Sequence, residues 1–378
     1  MILDFPYSEL PATTRELRRR VRAFLTEERA SGGFVPQVDS WTRFDAAFSR
    51  KCGERGFIGM TWPIEFGGGG HSALDRYVVT EEFLAAGAPV GAHWIADRQS
   101  GGQILRFGTA AAKQKLLPDM AAGRSYFAIG MSEPEAGSDL SAIKTRATRE
   151  NGDWILRGRK VWTTHAHRAH HLIVLARTTA AGPDRHAGFT QFIVDLKGPG
   201  VVVSPIEDLA GAEEFSEVLL EGAPVCEEMV LGEVGNGWSL LMHELAAERS
   251  GPERFLSTFT LLVALLARLK ADTASHSAPV VGRLIAHLAT LRLMSISVAA
   301  RIAAGGNPDL EAVVVKDVGT SFDREVPELA RKIAAPASIS TAYEDSLARA
   351  VLRAPSFSLR GGTREILRGI IARGLGLR

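Results

Sequence analysis

Cysteine is nearly absent: Cys52 and Cys226 are the only two in 378 residues. Two isolated cysteines make no disulfide framework. An excess of one charge is missing as well. Lysine plus arginine number 44 against 43 aspartate plus glutamate, a formal net charge of +1. The basic run Arg18-Arg19-Arg20 falls inside a helical pattern and reads as a solvated face. A nucleic-acid partner therefore has no electrostatic footprint here. No apolar run reaches the length of a membrane span, and the N-terminus lacks a signal-peptide pattern. No Gly-x-Gly-x-x-Gly follows a strand pattern and there is no phosphate-loop motif, which argues against nucleotide binding by those routes. Repeats of fixed period do not show. The default expectation is a soluble cytoplasmic protein without a membrane span.

What is present is ample apolar material, 46% of the chain, and length enough for more than one core. The first third has helical periodicity. Thr13 with Glu16 fits a capping box, followed by Leu17, Val21, Phe24 and Leu25 at helical spacing. Further helices are expected over 45–57, 74–86, around Ile104–Phe107 and over 113–120, the last opened by Thr109. From Phe127 to about Val230 the pattern becomes strand-like, with Asn151-Gly152 as a hairpin turn. Runs over 172–176, 189–194, 201–205 and 217–220, divided by Gly, Pro and Asp, suggest a small antiparallel β-domain. Helices return at Gly237: 238–248, 255–271, 280–304, 309–326, 326–334, 339–352 and 363–373. The reading is an α+β fold with a helical domain over 1–125, a β-domain over 126–230 and a helical bundle over 231–378.

Chemistry concentrates in a few stretches. FAIGMSEPEAGSD, over 127–139, is a strand running into a polar turn of small residues, where a backbone can approach a flat or phosphorylated ligand closely. Trp238, Leu241, Leu245 and Glu248 share one helical face, so Glu248 lies on the apolar stripe. Burial there raises a carboxylate's pKa towards the range useful for a general base; the structural alternative is an ion pair with Arg249, Arg254 or another chain. Pro252 should end or kink this helix near Glu248. Gly361-Gly362-Thr363 opens the last helix and offers free N–H groups at its positive end. His165, His167, His170 and His171 tempt a metal reading, but no acidic or cysteine partner is adjacent, and a polar loop is the expectation.

The run GMSEPEAGSDLSA, over 130–142, resembles the first signature of the acyl-CoA dehydrogenase family, and the α–β–α order resembles that family's fold. The segment GNGWSLLMHELAAER, over 235–249, is similar to the start of the long helix in the isovaleryl-CoA and long-chain branches, which carry their catalytic glutamate immediately before an arginine. Glu248-Arg249 matches that pair. Most other members place the base in the last loop, where this chain has Gly361. The resemblance implies FAD-dependent α,β-dehydrogenation of an acyl-CoA thioester. Glu248 would be the base, the flavin N5 the hydride acceptor, and the Gly361 N–H a donor to the enolate oxygen. It also implies flavin contacts from Met131, Ser132, Ser138, Trp162, Thr164, Thr363 and Glu365. Ser138 and Arg249 are implied as contacts to the acyl-CoA, with no metal and with an electron-transfer flavoprotein as acceptor.

Two family features are missing. The segment after Lys270 lacks an Arg-x-x-Phe-Gly run, and residues 317–323, DVGTSFD, stand where a Gln-x-x-Gly-Gly-x-Gly signature is expected. The assembly is thus either a homo-oligomer or an α2β2 complex in which a second dehydrogenase chain supplies those groups. In the second case this chain could be a structural subunit. A flavin-retaining relative with altered chemistry, such as a desulfinase or oxidase, is a third reading. The helix-borne base and the space left at Gly361 point to a branched or cyclic acyl group.

Overall fold

The computed structural model describes residues 3–180, 182–241, 249–271, 277–333 and 341–377. Packing divides the chain into two compact units. The first gathers Met1–Arg43, His71–Pro89 and Ala246–Arg378; the second holds Phe44–Gly70 and Val90–Leu245.

The second unit is built on a sheet. Its helices are α2 (Ala46–Glu54), α4 (Gly91–Ile95), α5 (Gly101–Phe107) and α6 (Ala110–Ala121), with a π-helical turn, Ala96–Ser100, between α4 and α5. Helix starts here follow local capping chemistry. Asp45 accepts from the Phe48 N–H at 2.9 Å to open α2, and Thr109 accepts from the Ala112 N–H at 3.1 Å to open α6. Eight strands follow: β1 (Phe127–Gly130), β2 (Arg146–Glu150), β3 (Asp153–Thr164), β4 (His171–Arg177), β5 (Phe189–Asp195), β6 (Val201–Ile206), β7 (Phe215–Val225) and β8 (Val230–Leu231). Their order is β6-β7-β3-β2-β4-β5-β8, with β1 added against β4. The sheet is mainly antiparallel, but β1 runs parallel to β4, with Phe127 opposite His171, and β2 meets β4 in parallel at Arg146 and Arg177. Asn151 (φ 52°) and Gly152 (φ 96°) both take positive φ, which the β2–β3 hairpin turn requires. Leu156, Leu172, Val174, Phe192 and Val218 form the fully buried middle of the core.

The first unit is helical in the described residues: α1 (Thr14–Ala30), α3 (Ala73–Ala85), α7 (Phe259–Ala271), α8 (Ala278–Ala303), α9 (Asp309–Ile333), α10 (Thr341–Phe357) and α11 (Arg364–Gly374). The capping box expected at Thr13 does not form. Thr13 already has helical backbone angles, φ −57° and ψ −31°, and its side chain makes no cap bond, whereas a capping residue needs an extended backbone. A reciprocal box does form at α3, between Ser72 and Asp75. The segments expected over 309–326 and 326–334 are one helix. Pro327 sits inside α9, where burial of Phe322, Val326 and Ala330 on both sides of it outweighs the lost backbone bond. Asp323 on α9 accepts from the Thr258 N–H at 3.0 Å and the Thr258 hydroxyl at 2.9 Å, and so holds the start of α7. Burial pushes the Asp323 carboxyl up to about 6 against these hydrogen bonds.

One sequence expectation needs correction. Helix α8 is 26 residues long and has an 18-residue window of mean hydropathy 1.3, enough by length and composition to cross a membrane. Arg292 within it is nonetheless paired with the buried Glu81 of α3 at 2.5 Å, and Arg18 of α1 donates to the same carboxylate at 2.8 Å. These bonds tie α8 into the bundle.

Candidate functional site

The signature loop is held from beneath by a buried ion pair. Glu133 accepts from Lys160 Nζ at 2.9 Å, from the Lys144 N–H at 2.6 Å and from the Thr145 N–H at 2.9 Å. Lys160, on β3 and fully buried, also donates to the Met131 carbonyl at 3.1 Å. Burial alone would push the Glu133 carboxyl up, but Lys160 and the surrounding donors outweigh it and hold it below the usual carboxylate range. Burial pulls Lys160 down to about 8 despite Glu133. Both groups are therefore charged at neutral pH. Sequence reading missed this pair. Its only signal was a glutamate beside the loop proline and a lysine two residues before Trp162.

The pair brings Met131 and Ser132 alongside β3, where the Val161 N–H donates to the Ser132 carbonyl at 3.0 Å. Just beyond, the β3–β7 register shifts between Lys160 and Thr163. At that bulge Trp162 adopts φ 57°, a left-handed conformation that is an outlier for a bulky residue. Its ring is 60% exposed and packs edge-on against Phe215 at 6.0 Å. A large aromatic held outward on a strained backbone costs on the order of 1–3 kcal/mol and clusters at functional sites. Thr164 is half-buried at the end of the same strand. Met131 and Ser132 thus lie against the strand that carries Trp162 and Thr164: a flat apolar face beside polar backbone. A planar heteroaromatic ring such as isoalloxazine fits that arrangement.

Ser138 is exposed at the tip of the loop. Its neighbour Asp139 accepts from the Ser141 hydroxyl at 2.6 Å and from Arg185 at 2.5 Å. Those two donors hold its carboxyl below the usual range. The histidines do not converge. His170 accepts from the Tyr126 N–H at 3.0 Å and His171 stacks on Phe127 at 5.0 Å. His167 lies 2.9 Å from the Ser216 hydroxyl. Among the described residues no group of three or more His, Cys, Asp or Glu side chains could hold a metal ion.

In the helical unit, Thr363 caps α11 through its hydroxyl and the Ile366 N–H, 3.5 Å apart. Glu365 is exposed in the first turn, where its own backbone N–H and Thr363 lower its carboxyl. Gly361 (φ 66°) and Gly362 (φ 100°) precede the cap. The buried Lys316 donates to the Gly362 carbonyl at 2.6 Å. Arg249 is buried, and its Nη2 lies 4.0 Å from where a side chain at Gly362 would begin. Arg249 and the last loop are thus brought together. Glu248 lies outside the described residues. The helical stretch begins at Gly237, residues 249–251 are not helical, and Pro252 starts a separate short turn.

Three family descriptions match in order: "Acyl-CoA dehydrogenase, N-terminal domain" over residues 11–124, "middle domain" over 128–222 and "C-terminal domain" over 235–376. The acyl-CoA dehydrogenase IpdE1 of Mycobacterium tuberculosis is 33% identical over 242 residues, 62% of this chain and 62% of that protein, so the match spans less than two thirds of that relative. Among solved structures, the Tcur3481-Tcur3483 steroid ACAD superposes with a TM-score of 0.85 at 25% identity over 98% of this chain and 100% of its own. The ChsE4-ChsE5 complex from Mycobacterium tuberculosis gives a TM-score of 0.81 at 26% identity over 100% of both chains. With all three matched regions in sequence order and a helix–sheet–helix architecture to carry them, the chain belongs to the acyl-CoA dehydrogenase family.

Proposed function

We propose that this chain catalyses the α,β-dehydrogenation of an acyl-CoA thioester with FAD as cofactor. The observation that carries the reading is the outward Trp162 at φ 57° beside the Met131–Ser132 strand end, a strained aromatic that stays 60% exposed. Met131, Ser132, Trp162 and Thr164 would hold the isoalloxazine, Ser138, Thr363 and Glu365 the phosphate and ribose side, and Ser138 and Arg249 the acyl-CoA. FAD, when bound, supplies the two-electron acceptor for the hydride leaving the β-carbon. Glu248 would take the α-proton, and the Gly361 N–H would donate to the thioester oxygen as charge develops there. Gly361 has no side chain to act as the base, which leaves that role to Glu248. The absence of a side chain at Gly361 and the likeness to a steroid ACAD support a branched or cyclic acyl group. An electron-transfer flavoprotein is the proposed acceptor.

The test is Glu248→Gln in the flavin-loaded protein, assayed by anaerobic bleaching with acyl-CoA thioesters. Loss of a positioned base lowers turnover by about 10²–10⁴-fold, and the protein should stay yellow. Undiminished turnover would sink the assignment.

A second reading concerns assembly. The likeness to a two-component complex, together with the missing Arg-x-x-Phe-Gly run after Lys270, supports an α2β2 partnership with another dehydrogenase chain.

A further inference from the structure

Two consecutive glycines at positive φ, Gly361 and Gly362, form a loop that no side chain of its own can hold. Glycine also loses the most backbone freedom on ordering. Whatever fixes this loop must reach in from outside it. On its C-terminal side the anchors are the Lys316 bond to the Gly362 carbonyl, 2.6 Å, and the Thr363 cap. On its N-terminal side the next residue is Arg360. Its guanidinium lies 3.8 Å from the centre of the Trp41 ring and 4.9 Å from that of Phe357. Its Nη2 is 3.2 Å from Asp39 Oδ1, an ion pair between residues 321 positions apart in sequence.

The receiving side is itself rigid. Asp39 is buried and takes φ 53°, a left-handed conformation. Its N–H donates to the Ser257 carbonyl at 2.7 Å, and Trp41 Nε1 donates to the Ser257 hydroxyl at 3.2 Å. A planar guanidinium can stack on a ring and bond a carboxylate at once, which an ammonium cannot. Leu359, one residue earlier, is 62% exposed. The clamp therefore grips the glycine loop selectively rather than burying the whole turn.

We propose that Arg360 is a positioning residue. Held by Asp39, Trp41 and Phe357, it orders the Gly361-Gly362 loop and so aims the Gly361 N–H. The use of that N–H rests on the function proposed above; the ordering does not. The test compares hydrogen exchange of the peptide spanning residues 357–366 in the full chain, native against Arg360→Gln and Arg360→Lys, alongside kcat and KM.

Arg360→Gln should raise exchange in this peptide at least tenfold with little change elsewhere, and lower kcat about tenfold at nearly constant KM. Arg360→Lys, which keeps the charge but not the stack, should fall between and rescue part of both. Exchange equal to native in either variant overturns the clamp, and Arg360→Lys decides the matter should the glutamine variant not fold. Faster exchange with unchanged kcat overturns the link to the Gly361 N–H. A native chain that turns over no acyl-CoA sinks the function reading, while the exchange result still decides the clamp.

Discussion

Trp162 unites a backbone strain with an exposed ring, and the two can be separated by substitution. Trp162→Gly removes both. Relief of the left-handed strain, about 1–2 kcal/mol, roughly offsets glycine's entropic penalty of about 0.5–1 kcal/mol. The apo protein should therefore melt close to native while flavin retention falls, measured by thermal scans and bound-FAD absorbance. Asp323 gives a second residue-scale prediction. Its folded pKa of about 6 lies above the model-peptide value of 3.8, so between those limits the folded state binds the extra proton. The contribution is fully present below pH 3.8 and is lost as pH rises to about 6, on the order of 3 kcal/mol in all. Asp323→Asn should flatten that part of the stability–pH curve from denaturant titrations, and an unchanged slope would refute the assignment. Neither feature was legible in the sequence. A tryptophan's φ depends on a β-bulge, and the burial of Asp323 depends on Thr258, far away along the chain.

At the scale of elements, the Glu133–Lys160 pair joins the signature loop to β3. Breaking a buried pair from one side strands a charge and costs about 3–5 kcal/mol. Glu133→Gln should destabilise by that order, and the double variant Glu133→Gln/Lys160→Met should recover much of it. A chemical-denaturation cycle showing simple additivity would contradict the coupling. Element boundaries were legible wherever a cap is local in sequence: Asp45, Thr109 and Thr363 each open a helix through a hydrogen bond three residues on. Thr13 misled because the chain is already helical there. Pro327 misled because tertiary burial along α9 overrides a local breaker. The Asn151-Gly152 hairpin was readable because its turn type demands residues that tolerate positive φ.

For the whole molecule, the α–β–α order and the family came from motifs that survive as contiguous runs, whereas clamps such as Arg360–Asp39 join distant segments and left no local trace. Assembly is the property to measure next. Expressed alone, the chain should carry less than one FAD per copy. Co-expression with a second dehydrogenase chain should raise occupancy and give a mixed complex by native mass spectrometry. Full occupancy in a homo-oligomer would refute the two-chain reading. Gly361 also limits what can replace it. At φ 66° a glutamate there would sit in a conformation of the wrong handedness for an L-residue, costing about 1–2 kcal/mol. The chain already bears such a strain at Trp162 (φ 57°), so a side chain introduced at 361 would tilt the turn towards another shape without forbidding it, and the handedness of one peptide sets how freely this corner accepts new chemistry.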